Sequence, residues 1–91
     1  MEGNLREIFG YVLRELRVGR GATQQEVADN CDFERVFISR LERGLVQPSL
    51  ITLFKLAEFF EMPPEDMVRL VSERRKKTKK DPDANRASSR R

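Results

Sequence analysis

Residues 23–44, TQQEVADNCDFERVFISRLERG, constrain the fold most because they predict two short helices with almost no chain between them. Thr23 and Glu26 have the spacing of a capping box, in which each side chain bonds the backbone N–H of the other residue. That signal predicts a helix from about Gln24 to Asn30, and the next helix follows after only the residues CDF. Such a segment requires the two helices to cross close to one another at a tight turn.

The second of these predicted helices separates its apolar residues from its basic residues. Phe33, Phe37 and Leu41 recur at helical spacing on one face, which Ile38 widens. The pattern therefore predicts a helix that is anchored in the protein by one face and projects charge from the other. The outward face carries Arg35, Val36, Ser39, Arg40 and Arg43.

Apolar residues at helical spacing also predict a helix before this segment. Its stripe begins at Leu5, and Asn4 is its expected N-cap. Gly19 and Gly21 are expected to end it. Gly10 lies in the middle of the stripe, where glycine weakens a helix, so we expect a neighbouring element to pack closely against it.

Two more helices complete the predicted fold. Ser49 is the expected N-cap of helix four, and Pro64 suits the first turn of helix five, which extends to about residue 77. No segment has the alternating period of a strand, so the sequence predicts an all-α, five-helix fold in one domain over residues 1–77. The expected core stripe of helix four is Leu50, Leu53, Phe54, Ala57 and Phe60.

The C-terminal residues differ in composition from the rest of the chain. Residues 78–91 contain no apolar side chain larger than alanine, which predicts a disordered basic tail. Residues 73–91 carry nine basic and three acidic groups, whereas residues 1–72 carry nine basic and twelve acidic groups. The acidic body would need a concentrated basic face to bind a polyanion. The run RRKKTKK is either a solvated helix end or an arm that adds non-specific affinity for nucleic acid.

Several functional classes are disfavoured by what the sequence lacks. It contains no histidine, no phosphate-binding glycine motif and one cysteine, Cys31, so we expect no enzyme, metal site, cofactor or internal disulfide. No apolar run approaches the ~20 residues that cross a bilayer. The N-terminal sequence lacks the features of a secretory signal. These observations predict a cytoplasmic protein with no membrane contact.

The residues from Thr23 to Phe60 resemble the phage-repressor-like (Xre/Cro-type) helix-turn-helix regulators. The resemblance extends over about residues 5–62 and implies a repressor-like fold with the helix-turn-helix at about residues 23–43. It also implies sequence-specific binding of double-stranded DNA in transcription regulation. The matching positions are Gln24, Ala28, Ile38, Leu41, Glu42, Gly44, Pro48, Ser49 and Leu50.

The chain departs from the family pattern in three places. Asp32 stands where the family commonly has glycine in the turn, and aspartate tolerates positive φ better than most residues. Glu34 stands where a serine or threonine cap is frequent, and glutamate caps poorly. The loop LVQ lacks the lysines that related proteins often carry, which leaves Gln47 as its candidate for a phosphate contact.

The outward face of helix three supplies the candidates for contacts with DNA bases. Arg35 is the leading candidate because a guanidinium bonds guanine O6 and N7 together. Val36 is suited to touch a thymine methyl group, although an isolated exposed valine is common in any protein. Ser39 and Arg40, one turn later, are within reach of bases or phosphates.

Residues around the helix ends supply the candidates for phosphate contacts. The family resemblance implies that Gln24 bonds a DNA phosphate and braces the recognition helix, and Thr23 lies beside it at a helix N-terminus that favours anions. Arg43 and Gln47 complete the predicted set, to which Arg14 and Arg20 could add. The resemblance also implies a partly buried structural ion pair, in which Arg17 of helix one pairs with Glu42.

One such unit reads too few base pairs to be selective, so we expect a homodimer on a palindromic operator. Helix five, over about residues 64–77, is a candidate dimerisation element; the alternative is that its apolar residues only close the core of the single chain. The second functional hypothesis is a protein-interaction module that docks RNA polymerase or a cognate toxin. The predicted dimer interface comprises Phe59, Phe60, Met62, Met67, Val68 and Val71.

Overall fold

The computed structural model describes residues 2–78, and the side chains of residues 5–77. Within that range the chain forms five α-helices and no strand, as the sequence predicted. Residues 79–91, and with them nearly all of the predicted disordered tail, lie outside the described residues. The helices are α1 (Glu2–Arg20), α2 (Gln24–Cys31), α3 (Arg35–Glu42), α4 (Leu50–Phe59) and α5 (Pro64–Thr78).

Two of the three N-caps predicted from the sequence are present in the structure. The Thr23 hydroxyl accepts from the Glu26 N–H at 3.0 Å, and the Thr23 N–H donates to the Glu26 carboxylate at 2.8 Å. The Ser49 hydroxyl accepts from the Thr52 N–H at 3.1 Å and caps α4. The prediction for Asn4 was wrong, because α1 already begins two residues earlier.

Two residues of the helix-turn-helix segment have positive φ, as expected. Asp32 has φ 62° and ends α2, and Gly44 has φ 74° and follows α3. Glu34, the residue before α3, makes no side-chain capping bond, which agrees with the poor capping expected of glutamate. Gly19, by contrast, lies inside α1 and does not end it.

The core lies where α3 packs between α1 and α2, with α4 and α5 closing the other side. Ile38 and Leu41 of α3 are completely buried, together with Leu13 of α1 and Ala28 of α2. A Cβ atom at Gly10 would collide with the carbonyl oxygens of the last turn of α3. The close approach predicted at this glycine is therefore the crossing of α1 and α3.

The predicted core stripe of α4 was wrong in two of its members. Leu50 is 70% exposed and Phe54 is 53% exposed, whereas Leu53 is partly buried. The sequence LITLFKLAEFF has apolar residues on almost every side, so periodicity alone does not identify its inner face. Packing against α2 and α5 selects that face, which comprises Thr52, Leu56, Ala57 and Phe60.

Two arginines connect elements that are far apart in the sequence. Arg20 donates to the carbonyl oxygens of Phe59 and Phe60, at 3.0 and 2.9 Å, and satisfies the end of α4. Arg74 of α5 pairs with Glu15 of α1 at 2.6 Å and lies over the Tyr11 ring. These contacts hold the end of α4 and the helix α5 against α1.

Candidate nucleic-acid interface

One face of α3 is buried in the protein and the other is exposed to solvent. Ile38 is buried and anchors the helix, whereas Arg35, Val36 and Arg40 are exposed and Ser39 is partly exposed. The exposed fraction of Val36 is 47%, so a large apolar side chain projects into solvent between basic neighbours. The arrangement places guanidinium groups, a hydroxyl and an apolar side chain on one outward surface, which are the groups that read base edges in a major groove.

A chain of hydrogen bonds connects the outward face of α3 to the interior. The Gln24 amide nitrogen donates to the Glu42 carboxylate at 3.0 Å, which turns the amide oxygen towards α3. Arg35 donates to that oxygen at 3.4 Å. Gln24 therefore connects Arg35 in the first turn of α3 to Glu42 in the last turn of the same helix.

The Glu42 carboxylate lies at the centre of this network. It accepts two hydrogen bonds from Arg17, at 2.5 and 3.0 Å, and Arg17 also donates to the Ala22 carbonyl at 3.0 Å. The side chains of Arg17 and Glu42 are only 14% and 4% exposed. The hydrogen bond that Arg17 donates to Glu42 raises the pKa of the Arg17 guanidinium, against the opposing effect of burial. The ion pair implied by the family resemblance is present, and Arg17 faces the interior.

The predicted phosphate-contact residues surround α3. Thr23 is exposed at the start of α2, although its hydroxyl and N–H are engaged in the capping box. Arg43 is exposed directly after α3, and Gln47 is exposed in the following loop. Arg20 differs from these residues because it is bound to the carbonyl oxygens at the end of α4.

The residues predicted to form the dimer interface divide into two groups. Phe60, Met67 and Val71 are buried in the core of the single chain. Phe59 and Met62 are partly buried, and Val68 is 50% exposed.

Sequence reasoning missed an apolar surface on α4. Leu50, Ile51 and Phe54 are 70%, 69% and 53% exposed, and they border a shallow depression with Met62 and Pro64. We call these five residues the α4 patch. The signal was the surplus of apolar residues in α4, which exceeds what one buried face can hold.

Neither a metal site nor a membrane span is found in the described part of the chain. No group of three histidine, cysteine or acidic side chains there could hold a metal ion. None of the described helices is long and apolar enough to cross a membrane. Cys31 is buried, and burial raises the pKa of its thiol, although Lys55 opposes that shift.

Two short helices at a tight turn, the second with a buried apolar face and an outward basic face, define a helix-turn-helix DNA-binding protein. Residues 13–67 match the family model described as helix-turn-helix, HTH_3. The chain belongs to this family, whose Xre/Cro-type members are non-enzymatic, DNA-binding transcriptional regulators.

Individual relatives agree with that assignment. The chain is 32% identical over 69 residues to the control protein C.BamHI of Bacillus amyloliquefaciens, a match that covers 75% of this chain and 85% of that protein. It is 33% identical over 63 residues to the transcriptional regulator ClgR of Mycobacterium tuberculosis, a match that covers 69% of this chain and 56% of that protein.

Solved structures show the same fold. The restriction-modification controller protein C.AhdI of Aeromonas hydrophila superposes with a TM-score of 0.66 at 33% identity and covers 70% of this chain and 96% of its own. The clp gene regulator ClgR of Corynebacterium glutamicum superposes with a TM-score of 0.72 at 28% identity and covers 76% of this chain and 73% of its own.

Proposed function

We propose that this regulator reads a specific double-stranded DNA sequence by placing α3 in the major groove. The observation that carries the proposal is the orientation of α3, whose buried Ile38 and Leu41 leave Arg35, Val36 and Arg40 exposed on the opposite side. A helix held in this way is fixed in direction, so its outward side chains meet base edges in a defined register.

Each outward residue of α3 has a role that follows from its chemistry. Arg35, at the N-terminal end, bonds guanine O6 and N7 as a bidentate donor, and Gln24 positions its guanidinium. Val36 packs against a thymine methyl group. Ser39 and Arg40 contact bases one turn further along α3.

Phosphate contacts fix the position of the domain on the duplex without reading sequence. We assign them to Thr23 and Gln24 at the start of α2, where the N-terminal N–H groups favour an anion. Arg43 and Gln47 are assigned to the phosphates beyond the end of α3, because both are exposed there.

The active species is a homodimer on a palindromic operator, and we place its interface on the α4 patch together with Val68. A two-fold interface brings the same surface together from both copies, which favours a patch with little net charge. Lys55 and Glu58, one of each sign, border the patch. The two copies of α3 would then read half-sites about 34–36 Å apart.

Selection of bound fragments from a random DNA pool tests this function. The wild-type protein is expected to enrich an inverted repeat, and Arg35→Ala is expected to lose selectivity at one position of each half-site. Arg43→Ala should weaken binding equally for all sequences, and Arg69→Ala, on the exposed side of α5, serves as the control that changes neither. Equal weakening of all DNA by the Arg35 and Arg43 variants would contradict the assigned roles. Absence of any binding at low salt would favour a protein partner.

A further inference from the structure

A groove runs between α1 and α5, beside the loop that follows α3. Its volume is about 520 Å³, which is within the range of about 300–1,000 Å³ that is usual for small-molecule sites. The groove shares only Val68 with the dimer interface proposed above. The apolar residues that line it are Leu5, Phe9, Leu53, Val68 and Val71, together with Pro48.

Two arginines give this groove a single sign of charge. Arg6 of α1 and Arg75 of α5 line it, and no acidic side chain among residues 5–77 does. Within residues 5–77 neither arginine forms an ion pair, whereas Arg69 and Arg74, also on α5, both pair with carboxylates. The groove therefore combines an apolar surface with two guanidinium groups whose charge no described side chain neutralises.

We propose that this groove binds a small amphipathic anion, with the apolar body along the groove and the anionic head between Arg6 and Arg75. Guanidinium groups bind carboxylates and phosphates as bidentate donors, and the Ser72 hydroxyl can add a further donor. A second copy of the chain fits poorly, because two-fold pairing of this surface would bring arginine against arginine. Duplex DNA fits poorly as well, because its phosphates could bond the two arginines but its backbone has no apolar group that would cover the apolar lining of the groove.

The position of the groove connects it to DNA binding. Gln47 and Pro48 belong to the loop between α3 and α4, and they line the groove opposite α5. An occupant therefore contacts the loop that carries one of the proposed phosphate contacts. Bound ligand should change the affinity for DNA, and DNA should change the affinity for ligand by the same factor. This regulatory effect, unlike the ligand binding itself, rests on the proposed function.

Calorimetric titration of the full chain without DNA tests the site directly. Dodecanoate and dodecyl phosphate serve as anionic probes below their micellar concentrations, and dodecanol serves as the uncharged analogue. We expect saturable one-to-one binding of at least one anion, with dodecanol weaker by at least about tenfold. The anion that binds more tightly distinguishes a carboxylate head group from a phosphate head group.

Matched charge reversals locate the binding. Arg6→Glu with Arg75→Glu should weaken anion binding by at least about tenfold. Arg14→Glu with Lys76→Glu makes the same change of charge on the same two helices but outside the groove. This control variant should bind the anion as tightly as the wild-type protein does. Circular dichroism checks that both double variants retain the helical fold. If either variant fails to fold, the comparison of the anions with dodecanol still tests the site, because it uses only the wild-type protein.

The binding site, the regulatory effect and the proposed function can each be contradicted separately. The site is disproved if no probe binds saturably, if dodecanol binds as tightly as the anions, or if both double variants bind alike. An unchanged affinity for the selected operator at saturating anion would disprove the regulatory effect alone. Failure to bind any DNA would contradict the proposed function and leave the calorimetric result standing.

Discussion

Arg17 and Glu42 form a bidentate ion pair that joins α1 to the last turn of α3. The two hydrogen bonds measure 2.5 and 3.0 Å, and both side chains are largely buried. The same carboxylate orients the Gln24 amide, which in turn contacts Arg35. One interior charge pair therefore helps to set the orientation of a side chain on the proposed DNA-binding surface.

Loss of one member of this pair should destabilise the fold more than loss of both. Arg17→Met leaves the Glu42 carboxylate buried without its counter-charge, and we expect a loss of about 3 kcal/mol in the free energy of unfolding. Arg17→Met combined with Glu42→Leu removes both charges and should lose less. Urea unfolding measures both values, and a double variant that is destabilised as much as Arg17→Met alone, or more, would contradict the account.

Gln24→Ala should relax base selectivity. The change removes the acceptor that holds Arg35, so the guanidinium samples more orientations. Discrimination against the wrong base at the Arg35 position should fall by about tenfold, as measured by competition binding with single-base operator variants. Gln25→Ala is the matched control, because the neighbouring Gln25 is exposed and bonds only Asp29. Equal selectivity of the two variants would show that Gln24 does not position Arg35.

Alanine substitutions at two glycines of α1 should have opposite effects on stability. A Cβ atom at Gly10 would collide with the carbonyl oxygens of Leu41 and Glu42, so Gly10→Ala should cost about 1–3 kcal/mol. Gly19 lies in the same helix, and a Cβ atom added there would meet no atom of a neighbouring element within 4 Å. Gly19→Ala should therefore gain up to about 1 kcal/mol in the free energy of unfolding. Thermal unfolding measures the change in Tm for each variant. Changes of the same sign in the two variants would contradict this prediction.

A charge on the α4 patch should prevent dimerisation. Ile51→Glu places a carboxylate in the proposed interface, and the dissociation constant of the dimer should rise by at least about tenfold. Val18→Glu introduces the same charge at an apolar residue of α1 that is similarly exposed, and it should leave the dimer intact. Sedimentation equilibrium measures both, and an unchanged dimer in the Ile51 variant would place the interface elsewhere.

The sequence predicted the helices better than it predicted their packing. Thr23, Ser49, Asp32 and Gly44 act within a few residues of their own position, so local chemistry was enough to identify their roles. The inner face of α4 depends on where α2 and α5 lie. The sequence of α4 does not specify that face, because apolar residues lie on almost every side of the helix.

The same distinction applies to the candidate site. The outward face of α3 could be predicted because all of its apolar residues except Val36 occupy the other side. The family resemblance supplied the pair of Arg17 and Glu42. The contact of Gln24 with Arg35 could not be predicted, because it joins two side chains whose orientations depend on the buried carboxylate of Glu42. The groove between α1 and α5 likewise brings together residues that are distant in the sequence.

Methylation protection at guanine N7 tests most directly whether α3 enters the major groove, because N7 is exposed only there. On the selected operator, the wild-type protein should protect guanines in both half-sites. Arg35→Ala should restore methylation at one guanine of each half-site while the remaining protection persists. Full methylation of the bound operator by dimethyl sulfate, or protection that is unaffected by Arg35→Ala, would contradict the placement of α3 and of its leading residue.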